Sequence, residues 1–180
     1  KRNIDFSDEP ALAMLHLEDT RTKIGEDLLT DVAVLAIGHS ARDTFGLLNL
    51  SDIRMEPKPF AVGVRVEHPQ DMIDESQYGK NAPDCLPAAA YKLTAKTKEG
   101  RGVYTFCMCP GGYVVNASSE ENRLAVNGMS YSGRNGKNAN SAVIVTVSPE
   151  DFPEKGILGG LAFQRQLEEA AFAEGQGKIP

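Results

Sequence analysis

Apolar and polar positions divide the chain into an N-terminal part and a longer β-rich part. Residues 11–17 form a short apolar run, which predicts a strand. Residues 31–38 form a continuous, β-branched run that ends at a glycine, and such a run is typical of a parallel strand that is buried on both faces. Ser40 and Asp43 have the spacing of a helix start, which predicts a helix that ends near Asn49.

The pattern after residue 59 is mainly that of an antiparallel sheet. A short KEGR segment between two apolar runs predicts a hairpin formed by residues 91–97 and 102–109. Other strands are predicted at residues 60–67, 113–116, 123–126 and 141–147, helices at 69–78 and from the glycine pair 159–160 onward, and a long glycine- and asparagine-rich loop at 127–140. These elements predict an α+β fold: a mainly antiparallel sheet, or a partly open β-barrel, with peripheral helices.

Charge and composition exclude several classes of function. The 180 residues carry a formal net charge of −6, which argues against nucleic-acid binding because that activity needs a concentrated positive field. No apolar run approaches the roughly 20 residues that span a bilayer, and no apolar h-region follows Lys1. The three cysteines are an odd number, which fits reduced thiols and a cytoplasmic location.

Cys107 and Cys109 are the first candidates for chemistry. Residues two apart on a strand point to the same face, so the two thiols can form a redox pair, a nucleophile with its helper, or half of a metal site. Only Cys85 and three scattered histidines remain as further ligands, and we therefore predict no metal site. The alternative is that both are small apolar core residues. Gly111 and Gly112 follow closely, and glycine lets the backbone approach a ligand.

The loop over 127–140 is the second candidate. It offers hydroxyls, amides, one guanidinium and one ammonium, which suit recognition of a carboxylate or a phosphate. Together with the glycine pair, the candidate substrate-binding residues are Gly111, Gly112, Asn127, Gly128, Ser130, Arg134 and Lys137. The alternative is a plain solvated loop with Asn-Gly turns. The isolated histidines, including His68, are interpreted as structural.

Four segments in order resemble a known family. They are residues 38–45 (GHSARDTF), 58–70 (KPFAVGVRVEHPQ), 106–112 (FCMCPGG) and 127–130 (NGMS). In this order they resemble the bacterial NAD(FAD)-utilising dehydrogenases, a mostly uncharacterised set of FAD-dependent oxidoreductases. Residues 30–38 also resemble the second FAD motif of two-dinucleotide-domain flavoproteins, with Ile37 in place of the usual threonine.

The resemblance implies a parent flavoenzyme in which FAD transfers hydride or electrons, with NAD(P)H as a candidate donor. It implies that residues 1–52 are the C-terminal portion of a Rossmann-like FAD-binding domain and residues 53–180 an incomplete substrate-side domain. No GxGxxG turn is present, so the chain is expected to be an internal fragment that is inactive and binds no FAD alone. The implied cofactor neighbours are Ala36, Gly38, His39 and Ser40.

The resemblance also suggests roles and partners. Cys107 or Cys109 would lie near the flavin ring, and Arg134 or Lys137 would hold an anionic substrate. The expected partners are the missing FAD-domain segments and a small-molecule substrate, and a second copy of the chain can pair with an exposed sheet edge. Two rival functions stay open: a non-enzymatic β domain that binds a small anion or a protein, and a thiol-redox module based on the two cysteines.

Overall fold

The computed structural model describes residues 11–51 and 53–178, and its contacts form two units, Lys1–Ala41 and Arg42–Pro180. The predicted domain boundary after residue 52 stays a prediction, because contact units alone do not define domain boundaries. Within the described ranges, no helix is both long enough and apolar enough to cross a membrane.

The first unit contains a β-hairpin. Strand β1, Met14–Glu18, pairs antiparallel with β2, Gly25–Leu29. The turn between them is held by Asp19, whose Oδ1 accepts the backbone N–H groups of Arg21 and Thr22 at 2.9 and 2.7 Å. The prediction of a strand near residues 11–17 is confirmed. Strand β2 was not predicted, because its sequence GEDLL shows no apolar alternation; all five of its residues are exposed.

The prediction of a buried strand at residues 31–38 is wrong for this structure. The segment belongs to no strand, and the side chains of Val32, Val34 and Leu35 are 74%, 85% and 64% exposed. A strand requires ladder hydrogen bonds from a neighbour, and none of the described segments supplies them. The apolar run by itself therefore does not determine the structure of this segment.

The second unit is based on a four-stranded antiparallel sheet with the order β3-β8-β5-β4. Its strands are β3 (Phe60–Pro69), β4 (Thr94–Lys96), β5 (Gly102–Cys109) and β8 (Asn138–Val147). The longest pairing runs along the whole of β3 and β8, from Phe60 opposite Val147 to Pro69 opposite Asn138. The predicted hairpin is confirmed as β4–β5, although β4 has only three residues. The α+β fold is confirmed, and the described strands do not close into a barrel.

A second hairpin consists of β6, Gly112–Asn116, and β7, Val126–Ser130. Two segments differ in their bounds from the prediction. The strand expected at 123–126 begins only at Val126. The loop expected at 127–140 is reduced to 131–137, because β7 and β8 both extend into it. The sequence Asn-Gly suggested a turn, but Gly128 pairs with Val114 within the ladder.

Within the described residues, three helices and an aromatic cluster complete the second unit. The helices are α1 (Arg42–Leu50), α2 (Gln70–Tyr78) and α3 (Gly159–Glu174), all close to their predicted positions. A 3-10 turn is formed by Pro149–Asp151. Phe60 of β3 stacks on Phe152 at a ring-centroid distance of 5.3 Å, and Phe163 of α3 lies 6.1 Å from Phe152. These rings attach α3 to the start of the sheet.

A buried arginine joins α1 to α3. The Arg42 side chain is 3% exposed, and its two terminal nitrogens donate to Oε2 and Oε1 of Glu168 at 2.9 and 2.7 Å. Nη2 also donates to Gln164 at 3.1 Å, and Nη1 to Glu120 at 3.3 Å. The hydrogen bond and charge of Glu168 raise the Arg42 pKa above its ordinary value. This bidentate pair orders both helices around one charge-assisted contact.

Candidate functional site

A β-bulge separates the two candidate cysteines. Strand β5 pairs with β8 through Phe106 opposite Ala142 and resumes with Cys109 opposite Asn140, so β5 contains one extra residue in this interval. Cys107 has a positive φ of 50°. As a result, the Cys107 thiol is exposed and the Cys109 thiol is buried. The expectation that both thiols share one face is wrong, because the bulge breaks the two-residue alternation.

The bulge carbonyl is held by Arg65 of β3. Nη1 and Nη2 of Arg65 donate to the Cys107 carbonyl oxygen at 3.2 and 3.3 Å. Nη1 also donates to Oδ1 of Asn140 and lies 3.8 Å from Sγ of Cys109. Gly128 permits this arrangement, since a Cβ there would lie 2.0 Å from Nη1 of Arg65. Long-range packing against the Arg65 and Asn140 side chains, rather than a turn, therefore favours a glycine at this position.

The charge of Arg65 is not neutralised by a carboxylate. Its hydrogen-bond acceptors are a carbonyl, an amide oxygen and a thiol, and it forms no ion pair with any residue of the described ranges. Asn140 is completely buried, and its Nδ2 has no hydrogen-bond partner among the described residues. The cluster thus has more donors than acceptors around a half-buried cation.

The glycine pair forms a buried turn between β5 and β6. The Gly111 N–H donates to Oε1 of Gln70 at 2.8 Å, and Nε2 of Gln70 donates to Asp74 at 2.7 Å and to the Ala89 carbonyl at 3.0 Å. A Cβ on Gly111 would lie 2.0 Å from the Arg134 carbonyl oxygen. The glycine pair was expected to let a ligand approach the backbone closely. In the structure, the backbone carbonyl of Arg134 makes this close approach to Gly111.

The loop at 131–137 packs its backbone on this turn and leaves its cations in solvent. Ser130 donates its hydroxyl to the Pro110 carbonyl at 2.7 Å, and the Lys137 carbonyl accepts the Gln70 N–H at 2.9 Å. The side chains of Arg134 and Lys137 are exposed and form no ion pair with the described residues. They remain available to an anion, and their role as a substrate clamp stays a prediction.

Two further candidate substrate-binding residues, Gly112 and Asn127, differ in burial. Gly112 is buried, and a Cβ there would lie 2.0 Å from the Met129 carbonyl oxygen. Asn127 is exposed, and its Oδ1 accepts the Gly128 N–H at 2.8 Å. The structure therefore brings the glycines and Ser130 together around one turn, while Asn127 is engaged locally.

Sequence reasoning missed a histidine–tyrosine pair. Nε2 of His68 lies 2.8 Å from the Tyr91 hydroxyl, and the two rings are 5.6 Å apart. Burial raises the pKa of Tyr91 above 10.0, although a hydrogen bond with Ser141 and the charge of Arg65 oppose this shift. Such a pair can relay a proton. No local pattern signals it, because the residues are 23 positions apart and meet only through the sheet.

The predicted cofactor neighbours lie at the end of the first unit. Ala36, Gly38, His39 and Ser40 are exposed. Gly38 has a positive φ of 73°, and a Cβ built there would meet no atom within 4 Å. The backbone of residues 38–40 is exposed, and the role of these residues as cofactor neighbours stays a prediction. No group of three or more His, Cys, Asp or Glu side chains within the described ranges is placed to hold a metal ion.

Comparison with known proteins identifies the family. The profile of the family described as "FAD-dependent protein, C-terminal domain-like" matches residues 59–180, which is more than half of the chain. The chain belongs to this family. An uncharacterized protein of Clostridium beijerinckii is 53% identical over 155 residues, which cover 85% of this chain and 29% of that protein. The chain therefore spans less than a third of the length of the relative that it matches, and the family associates it with a flavoprotein.

Proposed function

We propose that the chain is the substrate-side part of an FAD-dependent oxidoreductase. The observation that carries this proposal is the family match over residues 59–180, which covers the antiparallel sheet, both hairpins of the second unit and α3. FAD supplies hydride or electron transfer when it is bound. The protein residues provide binding groups and shape the space for substrate.

We assign roles to individual residues from their exposure to solvent. Residues 38–40 contact the cofactor through exposed backbone, and most of the FAD site is supplied by the rest of a longer polypeptide. Of the two candidate cysteines, Cys107 is exposed and Cys109 is buried, so we propose Cys107 as the thiol closer to reacting groups. NADH or NADPH is proposed as the electron donor.

Two linked measurements test this function. First, the 180-residue chain is titrated with FAD and followed by flavin fluorescence, and we expect no saturable binding. Second, the full-length Clostridium beijerinckii relative is purified and mixed anaerobically with NADH or NADPH. We expect the relative to carry FAD and the flavin absorbance to bleach with one of the two donors.

Each measurement has a contradicting outcome. Saturable FAD binding by the chain would place the main cofactor site within these 180 residues and refute the proposed division. A full-length relative that contains FAD but is not reduced by either donor would refute NAD(P)H as the donor. A relative that contains no flavin would refute the oxidoreductase assignment itself.

A further inference from the structure

An open groove lies between the main sheet and α3. Its volume is about 470 Å³, which is within the usual range for small-molecule sites. The strands contribute Gly63, Arg65, Ala142 and Ile144, and the helix contributes Leu167 and Ala171. Small residues on the strands leave room above the sheet, and the lining is mainly apolar. Such a surface fits an apolar body of a few carbon atoms.

Arg65 provides the one unneutralised charge of this groove among the described residues. Glu168 also lines it, but its carboxylate is bound by Arg42. In the adjoining cleft, which Arg65 also lines, Glu67 accepts the Val114 N–H at 2.7 Å and an Asn138 amide hydrogen at 2.6 Å. The nearby carboxylates therefore have other partners, and Arg65 has only neutral ones.

We propose that this groove binds a small monocarboxylate with an apolar body, and that Arg65 recognises the carboxylate. The groove accepts the apolar body, and the guanidinium supplies a charge-assisted contact that no protein carboxylate occupies. As the class of substrate, this assignment rests on the proposed oxidoreductase function, whereas the binding itself requires no flavin. It assigns anion recognition to the sheet and not to Arg134 in the loop.

The probe is hexanoate, with hexanamide as its uncharged counterpart. Both are titrated into the 180-residue chain and followed by backbone amide chemical shifts. We expect saturable shifts with hexanoate that concentrate in β3, β8 and α3, and weaker binding of hexanamide. Replacing Arg65 by Gln should weaken hexanoate about tenfold or more, and it should change hexanamide affinity little, since the amide does not need the charge.

A second pair of variants keeps the test independent of the bulge contacts of Arg65. Leu167 is 40% exposed on α3, so substitution there is expected to preserve folding. Leu167→Glu adds a negative charge to the groove, and Leu167→Gln is its neutral control. Hexanoate should bind about fivefold more weakly to the Glu variant than to the Gln variant. Arg134→Gln should leave hexanoate affinity unchanged.

The outcomes separate this proposal from the flavin assignment. Absence of saturable hexanoate binding overturns it, and so does hexanoate binding that is lost in Arg134→Gln but kept in Arg65→Gln. Equal affinities of the two Leu167 variants also overturn it. None of these results depends on FAD, so the groove assignment can fail while the full-length relative still behaves as a flavoenzyme, and the converse also holds.

Discussion

Replacement of Arg42 by Met tests how strongly one buried ion pair stabilises the second unit. Methionine keeps an apolar stem of similar length but removes the guanidinium. The change leaves Glu168 and Glu120, whose side chains are only 19% and 17% exposed, without this partner. It also removes the hydrogen bond to Gln164. The contact between α1 and α3 is thereby lost at its charged centre.

The expected decrease in the free energy of unfolding follows from the burial of Arg42 and Glu168. Removing one partner of a buried ion pair costs about 3–5 kcal/mol because the other charge remains poorly solvated, and Arg123 and Arg165 also bind Glu120, so the lower end is expected. A loss of about 3 kcal/mol is a large part of the 5–15 kcal/mol that is typical of a domain. The matched control is Arg54→Met, since Arg54 is 89% exposed beside Glu56. That change should alter stability by about 1 kcal/mol or less.

Urea unfolding followed by far-ultraviolet circular dichroism measures both variants, because the chain contains no tryptophan. The slope of free energy against urea must stay constant for the comparison to hold. A double variant, Arg42→Met with Glu168→Leu, removes both charges and should recover part of the loss. The reasoning would be refuted if Arg42→Met lowered the free energy of unfolding by less than about 1 kcal/mol, or if the double variant were no more stable than Arg42→Met alone.

Two further predictions concern the turns of the second unit. Gly111→Ala should lower the free energy of unfolding by about 1–3 kcal/mol more than Gly100→Ala. Both glycines have positive φ, but only at Gly111 would an added Cβ meet a backbone atom, the Arg134 carbonyl oxygen at 2.0 Å. Equal decreases of the two variants in urea unfolding would contradict this. Hydrogen bonds from Arg101 hold the pKa of Asp151 in the folded protein well below its ordinary 3.8. The ionised Asp151 therefore stabilises the fold fully above pH 3.8, and this stabilisation is lost as the pH falls from there toward the pKa of the folded state. Stability measured at pH 7 and pH 3 should therefore decline less in Asp151→Asn than in the wild type, and an unchanged acid decline would disprove the linkage.

Local periodicity predicted the elements whose structure depends on nearby residues. The β4–β5 hairpin and α2 have their apolar spacing and turn residues within short windows, so a single sequence suffices to find them. The segment at 31–38 has an equally clear pattern but no ladder partner among the described residues. Its strand character depends on neighbours, which a local pattern does not reveal.

The candidate site was less predictable because its decisive contacts join distant positions. The β-bulge and the positive φ of Cys107 have no sequence signal, and together they separate the two thiols that were expected to share one face. Arg65 occupies an ordinary polar position in an alternating strand, and its neutral partners lie 42 to 75 residues away. Tyr91 likewise meets His68 only after the sheet has formed.

The use of the glycines changes where anion recognition is expected. Because the turn at Gly111 and Gly112 is filled by backbone from the neighbouring loop, its small residues serve the chain's own packing, and recognition must come from side chains with unneutralised charge. Arg134 is such a group, but it is an exposed loop side chain that loses rotamer freedom on binding. Arg65 is fixed on a strand by the Cys107 carbonyl and Asn140, so less ordering is required when an anion binds. The sheet therefore offers the better preorganised anion receptor.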